Sequence, residues 1–185
     1  MPEAAEKIFA RVSPLAAVAI AGRYGAAGAA GVTLSVRHPC SIVMVMARKG
    51  QAAAVARALE GRAALWAGPE QYYVVADGRD EGALYRELRN SLDGIASVAD
   101  QSHGRVIIRI AGPKARVVLA KGTPVDLHRH EFAIGRSALT QMAHVGVHLT
   151  RTGDDAFELS VFRGFAESFW EWLTGQAAEV GYEVR

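Results

Sequence analysis

The alternation of apolar and polar residues predicts many short strands with a few amphipathic helices between them. The stretch 106–110 alternates as a strand does when at least one of its faces is buried. Gly112 and Pro113 then stop the strand, because proline lacks an amide donor and suits the first turn of a helix. An apolar stripe over 115–119 predicts that helix, and Gly122 can supply the left-handed residue that ends it.

The same patterns predict the other elements of the chain. Strands are expected at 32–36, 42–46, 65–66, 72–76, 95–98, 138–143, 145–150 and 157–161, and helices at 50–59, 82–92 and 164–178. His38-Pro39-Cys40 predicts a hairpin turn between the first two strands, and the glycine-rich stretch 22–31 predicts a flexible connector. Residues 180–184 predict a short last strand or a tail that docks on another chain.

The order of these elements places strand pairs and helices in a similar sequence in both halves of the chain. It predicts an α+β protein of two related sheet-and-helix lobes with mostly antiparallel sheets. We expect an N-terminal lobe at 1–99 and a C-terminal lobe at 100–185, within one compact unit. The stretch around Asp100 marks the junction between the lobes.

Composition narrows the class of protein. Half of the 185 residues are hydrophobic, and the 21 basic and 19 acidic residues are interspersed, for a net charge of +2. This balance argues against a nucleic-acid groove and a polybasic membrane patch, and the absence of 18 uninterrupted apolar residues argues against a membrane helix. Cys40 is the single cysteine, so a reducing compartment, the cytoplasm, is favoured. The stretch 13–22 could mimic the apolar part of a secretory leader, but Glu3 and Glu6 spoil its basic start.

Candidate catalytic and metal-binding residues are few. His128 and His130 flank Arg129, whose charge repels a cation, so a partner-facing loop is preferred to a metal site. Asp100, Ser102 and His103 contain the residue types of a hydrolase triad, but they lie too close in sequence to converge easily. We expect Asp100 and Ser102 to hydrogen-bond the backbone at the lobe junction instead.

The C-terminal helix carries an aromatic residue outside its predicted core face. Phe165, Phe169, Trp172 and Leu173 follow the spacing of one helical face and are predicted to lie in the core. Trp170 lies about 140° around the helix from Phe165, so we expect it to point elsewhere and to anchor a partner.

Two motifs at the centre of the chain carry a family resemblance. D-x-S-H-G-R at 100–105 is followed by an apolar strand and then by G-P-x-A-x-x-x-L at 112–119. Together they resemble the folate-binding aminomethyltransferase-like family, whose fold is that of the glycine-cleavage T-protein. Relatives that bind folate hold it in a large pocket through the middle of the domain and are about twice this length.

Three further motifs resemble one branch of that fold, the gamma subunits of heterotetrameric sarcosine oxidases. They are V-S-P-L at 12–15, K-G-x-P-x-D-L-H at 121–128 and F-W-x-W-L at 169–173. Each motif alone is of modest specificity, and their order and spacing are more specific. The likeness runs roughly from Val12 to Tyr182.

The resemblance implies a non-catalytic subunit of an enzyme complex. In that family the complex oxidises the N-methyl group of sarcosine, and its products are glycine, hydrogen peroxide and formaldehyde, which is captured as 5,10-methylenetetrahydrofolate. The resemblance implies alpha, beta and delta partner subunits, which hold FAD, FMN, NAD and tetrahydrofolate, with no cofactor or catalytic residue in this chain. This chain would pack against the folate-binding alpha subunit through Trp170 and the loop residues Leu127, His128 and Phe132.

Two other functions stay open. The chain could be a free-standing folate-binding, aminomethyltransferase-like enzyme, or it could belong to a related demethylase that acts on another N-methyl amine. Substrate contacts would lie in the flavin-bearing partner, so the residues of this chain do not separate sarcosine from another N-methyl amine.

Overall fold

The computed structural model describes residues 11–185, which form eleven strands and four α-helices. In chain order these are β1 (Gly22–Tyr24), β2 (Val32–Arg37), β3 (Cys40–Ala47), α1 (Ala52–Ala58), β4 (Ala64–Gly68), β5 (Gln71–Asp77), α2 (Ala83–Ser91), β6 (Ala96–Asp100), β7 (Arg105–Ala111), α3 (Ala115–Ala120), β8 (Ser137–Met142), β9 (Val145–Gly153), β10 (Ala156–Phe162), α4 (Ala166–Ala178) and β11 (Tyr182–Val184). A 3-10 turn at Arg163–Phe165 joins β10 to α4.

The strands form two sheets. The larger has the order β1-β11-β2-β7-β10-β9-β8, and the smaller has the order β4-β5-β3-β6. Every pairing is antiparallel except that of β11 with β2. The expected α+β fold with mostly antiparallel sheets is therefore confirmed.

The predicted hairpin around His38-Pro39-Cys40 is wrong. β2 pairs with β7 and β11 in the larger sheet, whereas β3 pairs with β5 and β6 in the smaller one. The turn therefore carries the chain from one sheet to the other. Strands β1 and β2 share a sheet with strands from the C-terminal half, and the division at residues 99 and 100 stays a prediction.

Strand alternation builds four layers. One face of the larger sheet packs against α3 and α4, and one face of the smaller sheet packs against α1 and α2. The remaining faces of the two sheets meet in the middle. On β3, for example, Ile42 points between the sheets while Val43 and Val45 point toward the helices.

The glycine-rich loop that was expected to be a flexible connector is docked against the end of α4. The amide of Ala26 donates to the carbonyl oxygen of Ala178 at 2.8 Å, and the amide of Gly31 donates to that of Val180 at 3.0 Å. A β-carbon on Gly25 would lie 2.5 Å from the carbonyl oxygen of Ala178. Glycine is needed at position 25 because the two backbones approach this closely.

This close approach makes a testable prediction. Gly25→Ala should lower the free energy of unfolding by about 1–3 kcal/mol more than Gly28→Ala, measured by urea denaturation. Both glycines have positive φ, but a β-carbon at position 28 meets no atom within 4 Å. Comparing the two variants therefore separates the steric clash from backbone strain. Equal losses of unfolding free energy would contradict the close approach of Gly25 to Ala178.

Candidate functional site

The layer between the two sheets contains a concentration of buried polar side chains. They come from alternate positions of β7, β9 and β10, which lie opposite one another in the strand register. These buried polar residues are Arg105, His148, Thr150, Glu158 and Ser160. Apolar side chains of the smaller sheet, including Ile42 and Tyr73, pack against this face. Buried polar groups cost free energy unless they are paired, so their partners determine what this layer can do.

Glu158 is the centre of an ionic network that joins the two sheets. Glu158 is 5% exposed, and its carboxylate accepts hydrogen bonds from Arg37 Nη1 at 3.1 Å and from Arg109 Nε at 2.7 Å. Arg37 also donates to Asp77 of the smaller sheet from Nε and Nη2, both at 2.9 Å. Burial by itself lowers the pKa of Arg37, because it disfavours the charged guanidinium. The negative charges of Asp77 and Glu158 have the larger combined effect, so the pKa of Arg37 is raised.

His148 forms a second link between the sheets. Its Nε2 lies 2.8 Å from the carbonyl oxygen of Trp66, so that nitrogen carries the proton and donates. The ring packs edge-on against Tyr73, with centroids 5.1 Å apart. Burial, together with the charge of Arg105, lowers the pKa of His148, and the hydrogen bond to Trp66 opposes the shift only partly.

The depressed pKa of His148 gives stability a defined pH dependence. Below the ordinary histidine pKa of about 6.5 the unfolded chain binds a proton that the folded chain does not. The free energy of unfolding should therefore fall as pH decreases from about 6.5, by up to about 1.4 kcal/mol per pH unit, until the folded pKa is reached. His148→Gln should remove this contribution in urea denaturation between pH 7.5 and 5. Above pH 7 the free energies of unfolding of the two proteins should differ by a constant amount. If that difference stays constant down to pH 5, the pKa of His148 is not depressed in the folded chain.

Arg105 is a buried guanidinium held mainly by aromatic rings. Its Cζ lies 4.8 Å from the ring centroid of Tyr73 and 4.1 Å from that of Phe162. Nη1 donates to the carbonyl oxygen of Ser160 at 3.5 Å, while Nε has no partner among the described residues, and neither does the hydroxyl of Ser160. Burial lowers the pKa of Arg105. This side chain therefore packs between the ring of Tyr73 from the smaller sheet and that of Phe162 from the larger one.

The space left between the sheets is very small. A void of about 10 Å³ remains, lined by Tyr73, His148, Glu158 and neighbouring side chains. Such a volume holds about one water molecule, whereas sites for small molecules have volumes of about 300–1,000 Å³. The void between the two sheets is therefore too small for a pterin, because side chains of both sheets fill the layer between them.

The sequence-predicted partner residues occupy different positions. Leu127 and Phe132 are buried in the core under α3 and α4, and His128 is exposed beside them. Trp170 is only 4% exposed and packs in the same core, so the expectation that its side chain points away from the core is wrong. The four residues are thus not one exposed surface, and whether they contact a partner stays a prediction.

The predicted core face of α4 was also partly wrong. Phe169 and Leu173 are fully buried and Trp172 is partly buried, as expected, but Phe165 is 53% exposed. The reason is that α4 begins only at Ala166, and Phe165 lies in the preceding 3-10 turn. A 3-10 turn has three residues per turn, so the side chain of Phe165 points in a different direction from the one that α-helical spacing predicts.

Several large apolar side chains lie on the surface, and the sequence patterns did not single them out. They form two clusters that flank surface concavities, with Val18, Ile20 and Tyr24 in one and Trp66 and Leu139 in the other. Strand alternation could have identified Leu139, which lies on an edge strand, but Val18 and Ile20 lie outside any helix or strand. Exposed apolar groups that line a concavity are typical of contact surfaces.

The remaining candidate groups have structural roles. The amide of Ser102 donates to Asp100 Oδ1 at 2.9 Å, and the Ser102 hydroxyl accepts from the amide of Ile42 at 2.9 Å, which confirms the predicted backbone contacts. His103 is exposed and pairs with Glu81 instead of Ser102. His128 and His130 pack edge-on with their ring centroids 5.0 Å apart. Residues 11–185 contain no group of three or more His, Cys, Asp or Glu positioned for a metal ion. Within the same residues no helix has the length and hydropathy to cross a bilayer.

The fold defines a class of protein. The chain matches the glycine cleavage system aminomethyltransferase T of Bartonella henselae with a TM-score of 0.58 and 20% identity, over 81% of this chain and 49% of that chain. It also matches a chain of the heterotetrameric sarcosine oxidase from Corynebacterium sp. U-96, in complex with pyrrole 2-carboxylate. That match has a TM-score of 0.78 and 29% identity, and it covers 92% of this chain and 96% of that chain. The aminomethyltransferase-like fold is therefore confirmed.

The family follows from the sequence comparisons. The model of the sarcosine oxidase gamma subunit family matches residues 36–179. The sarcosine oxidase subunit gamma of Corynebacterium sp. strain U-96 is 33% identical over 126 residues, which are 68% of this chain and 60% of that protein. This chain belongs to the sarcosine oxidase gamma subunit family, and the aligned region spans 60% of the length of that relative.

Proposed function

We propose that this chain is the gamma subunit of a heterotetrameric sarcosine oxidase. The observation that carries the proposal is the structural match to a chain of such an assembly, which extends over 92% of this chain and 96% of its counterpart. The reaction of the complex is the oxidative demethylation of sarcosine to glycine, hydrogen peroxide and 5,10-methylenetetrahydrofolate. The assembly would contain alpha, beta and delta subunits beside this one.

In this proposal the chain has a structural role in the complex. It packs against the folate-binding alpha subunit and stabilises it, while the partner subunits hold FAD, FMN, NAD and tetrahydrofolate. The filled layer between the two sheets supports this division, because the space that remains there is about 10 Å³. We place the complex in the cytoplasm, which agrees with one buried, unpaired cysteine, Cys40.

The proposed contacts with the alpha subunit involve the loop at 123–135 and one edge of α4. His128 is the exposed member of the loop set and would touch the partner directly. Leu127 and Phe132 would hold the loop in place from the core side. Trp170, although buried, lines a surface groove and would contact a partner through its edge.

Affinity purification of this chain from its native host tests the proposal. The expected result is co-purification of a flavoprotein together with the other subunits, recognised by its flavin absorbance and by mass spectrometry. Recovery of the chain alone, with no flavoprotein, would contradict the proposal. If a complex is recovered, its rate of peroxide formation with sarcosine and with other N-methyl amines separates a sarcosine oxidase from a related demethylase.

A second candidate function is a free-standing folate-binding, aminomethyltransferase-like enzyme. It is favoured by the structural likeness to aminomethyltransferase T, and it is weakened by the small void between the sheets. Calorimetry with a reduced folate on the isolated chain distinguishes the candidates. Micromolar binding would favour the enzyme, and the absence of binding would favour the subunit.

A further inference from the structure

A groove runs along the surface between α4, β11 and the segment that leads into β1. We call it the α4–β11 groove. Tyr24 and Tyr182 stack at one side with ring centroids 5.2 Å apart, and Trp170 and Val184 form buried parts of its lining. Its volume is about 830 Å³, so it can take several side chains.

The rim of the α4–β11 groove exposes apolar surface. Val18 is 42% exposed, Ile20 is 55% exposed and Tyr24 is 38% exposed. Val18 and Ile20 lie on the segment that leads into β1, and Tyr24 is the last residue of β1, an edge strand whose one partner among the described residues is β11. Apolar side chains grouped in this way at an unpaired sheet edge favour contact with another polypeptide.

Two carboxylates from α4 also line the groove. Glu167 and Glu171 are exposed and lie four residues apart on α4, so they share one face of the helix and repel each other. Within residues 11–185 neither forms an ion pair, and no lysine, arginine or histidine lines the groove. Glu167 suits the first turn of a helix, where a negative charge is favourable, but Glu171 lies in the second turn and has no such role.

We propose that the α4–β11 groove binds a basic, apolar segment of a neighbouring subunit, with a lysine or arginine between Glu167 and Glu171. This inference rests on the proposed function, because it needs a partner subunit. Charge complementarity identifies the occupant, since a cation relieves the repulsion between the carboxylates. Apolar side chains of the same segment pack on Val18 and Ile20, and an arginine can also stack on the tyrosine pair.

The geometry favours a polypeptide over a small ammonium compound. Sites for small molecules enclose most of the ligand surface, whereas the exposed apolar groups here are spread along an open rim. A segment of polypeptide spans such a rim and brings the charged and the apolar groups together. A small organic cation would engage the carboxylates without covering Ile20.

The test uses the whole complex, made by producing this chain together with its partner subunits. Glu167→Gln with Glu171→Gln should weaken association about tenfold, and Glu167→Lys with Glu171→Lys about a hundredfold. The glutamine variant should also lose part of the salt dependence of association. The measurement is the fraction of this chain that stays in the complex on dilution, at several salt concentrations.

A matched control changes the same charge elsewhere. Glu60→Gln with Asp93→Asn removes two exposed carboxylates outside the groove and should leave association unchanged. Circular dichroism melting of each variant confirms that the chain is folded. If the unaltered chain does not assemble at all, the proposed function fails. If it assembles and the glutamine variant binds with the same affinity and salt dependence, the groove assignment fails and the proposed function stands.

Cross-linking identifies the occupant directly. A photo-reactive amino acid at position 20 should cross-link, in the assembled complex, to a partner peptide that carries a lysine or arginine among apolar residues. The same probe at position 60, on the surface near α1, serves as the control. A cross-linked peptide without a basic residue, or cross-linking only at position 60, would overturn the assignment. A small ammonium ligand found in the groove would overturn it as well.

Discussion

Replacing Trp170 by alanine is expected to lower the free energy of unfolding by about 3–5 kcal/mol. The indole is 4% exposed and packs with Phe169 and Leu173 in the core between α4 and the larger sheet. Truncation leaves a large cavity that the rigid sheet beneath cannot fill. Because a domain of this kind is stable by about 5–15 kcal/mol in total, this loss is a large share of its stability.

Phe165→Ala is the matched control for this prediction. Phe165 is an aromatic residue of the same segment, but it is 53% exposed, so its loss should cost less than about 1 kcal/mol. Urea denaturation followed by circular dichroism gives both values. Equal losses in the two variants would show that Trp170 is not a core residue. A folded Trp170→Ala variant that fails to assemble would instead support its proposed contact with a partner.

Glu158→Ala is expected to cost about 3–5 kcal/mol of folding free energy. The change removes a buried carboxylate that accepts hydrogen bonds from both Arg37 and Arg109, and it leaves Arg37 partly buried without that partner. The loss should appear as a lower midpoint of urea denaturation at pH 7. It should change little with added salt, because a buried pair is screened weakly.

Asp77→Ala provides the contrast. Asp77 pairs with the same arginine, but its side chain is 54% exposed, so its removal should cost about 1 kcal/mol or less. That smaller loss should shrink further at high salt. If the two variants lose the same stability, Glu158 is not the buried partner that anchors Arg37 in the larger sheet.

Local patterns predicted most of the elements but not β1. The strands β2 to β10 and the four helices all lie where periodicity placed them, because side-chain alternation depends only on neighbouring residues. β1 has only three residues and pairs with β11 at the other end of the chain. The pattern within 22–24 is too short to indicate a strand, and the pairing that creates it involves residues about 160 positions away.

The candidate contact surface was predicted less well, and the reason is helix phase. The 3-10 turn at Arg163–Phe165 takes Phe165 out of the regular helix, so its side chain does not follow the α-helical spacing. Phe165 is therefore exposed. Trp170 is buried because it lies about 100° around the helix from Phe169 and about 60° from Leu173, on the face that meets the core. Both outcomes are the reverse of the prediction. Glu167 and Glu171 carried a usable signal, since their spacing of four places them on one helical face.

The sequence by itself determined the elements, the α+β class and the family, because these depend on residue types in a fixed order along the chain. Only the tertiary structure decided which sheet each strand joins, how side chains fill the layer between the sheets, and which apolar groups remain exposed. These features arise from contacts between residues far apart in sequence, such as Arg37 with Glu158 and His148 with Trp66. The packing of one sheet on the other, which no local pattern encodes, leaves the middle of this chain filled and an acidic, apolar groove at its edge.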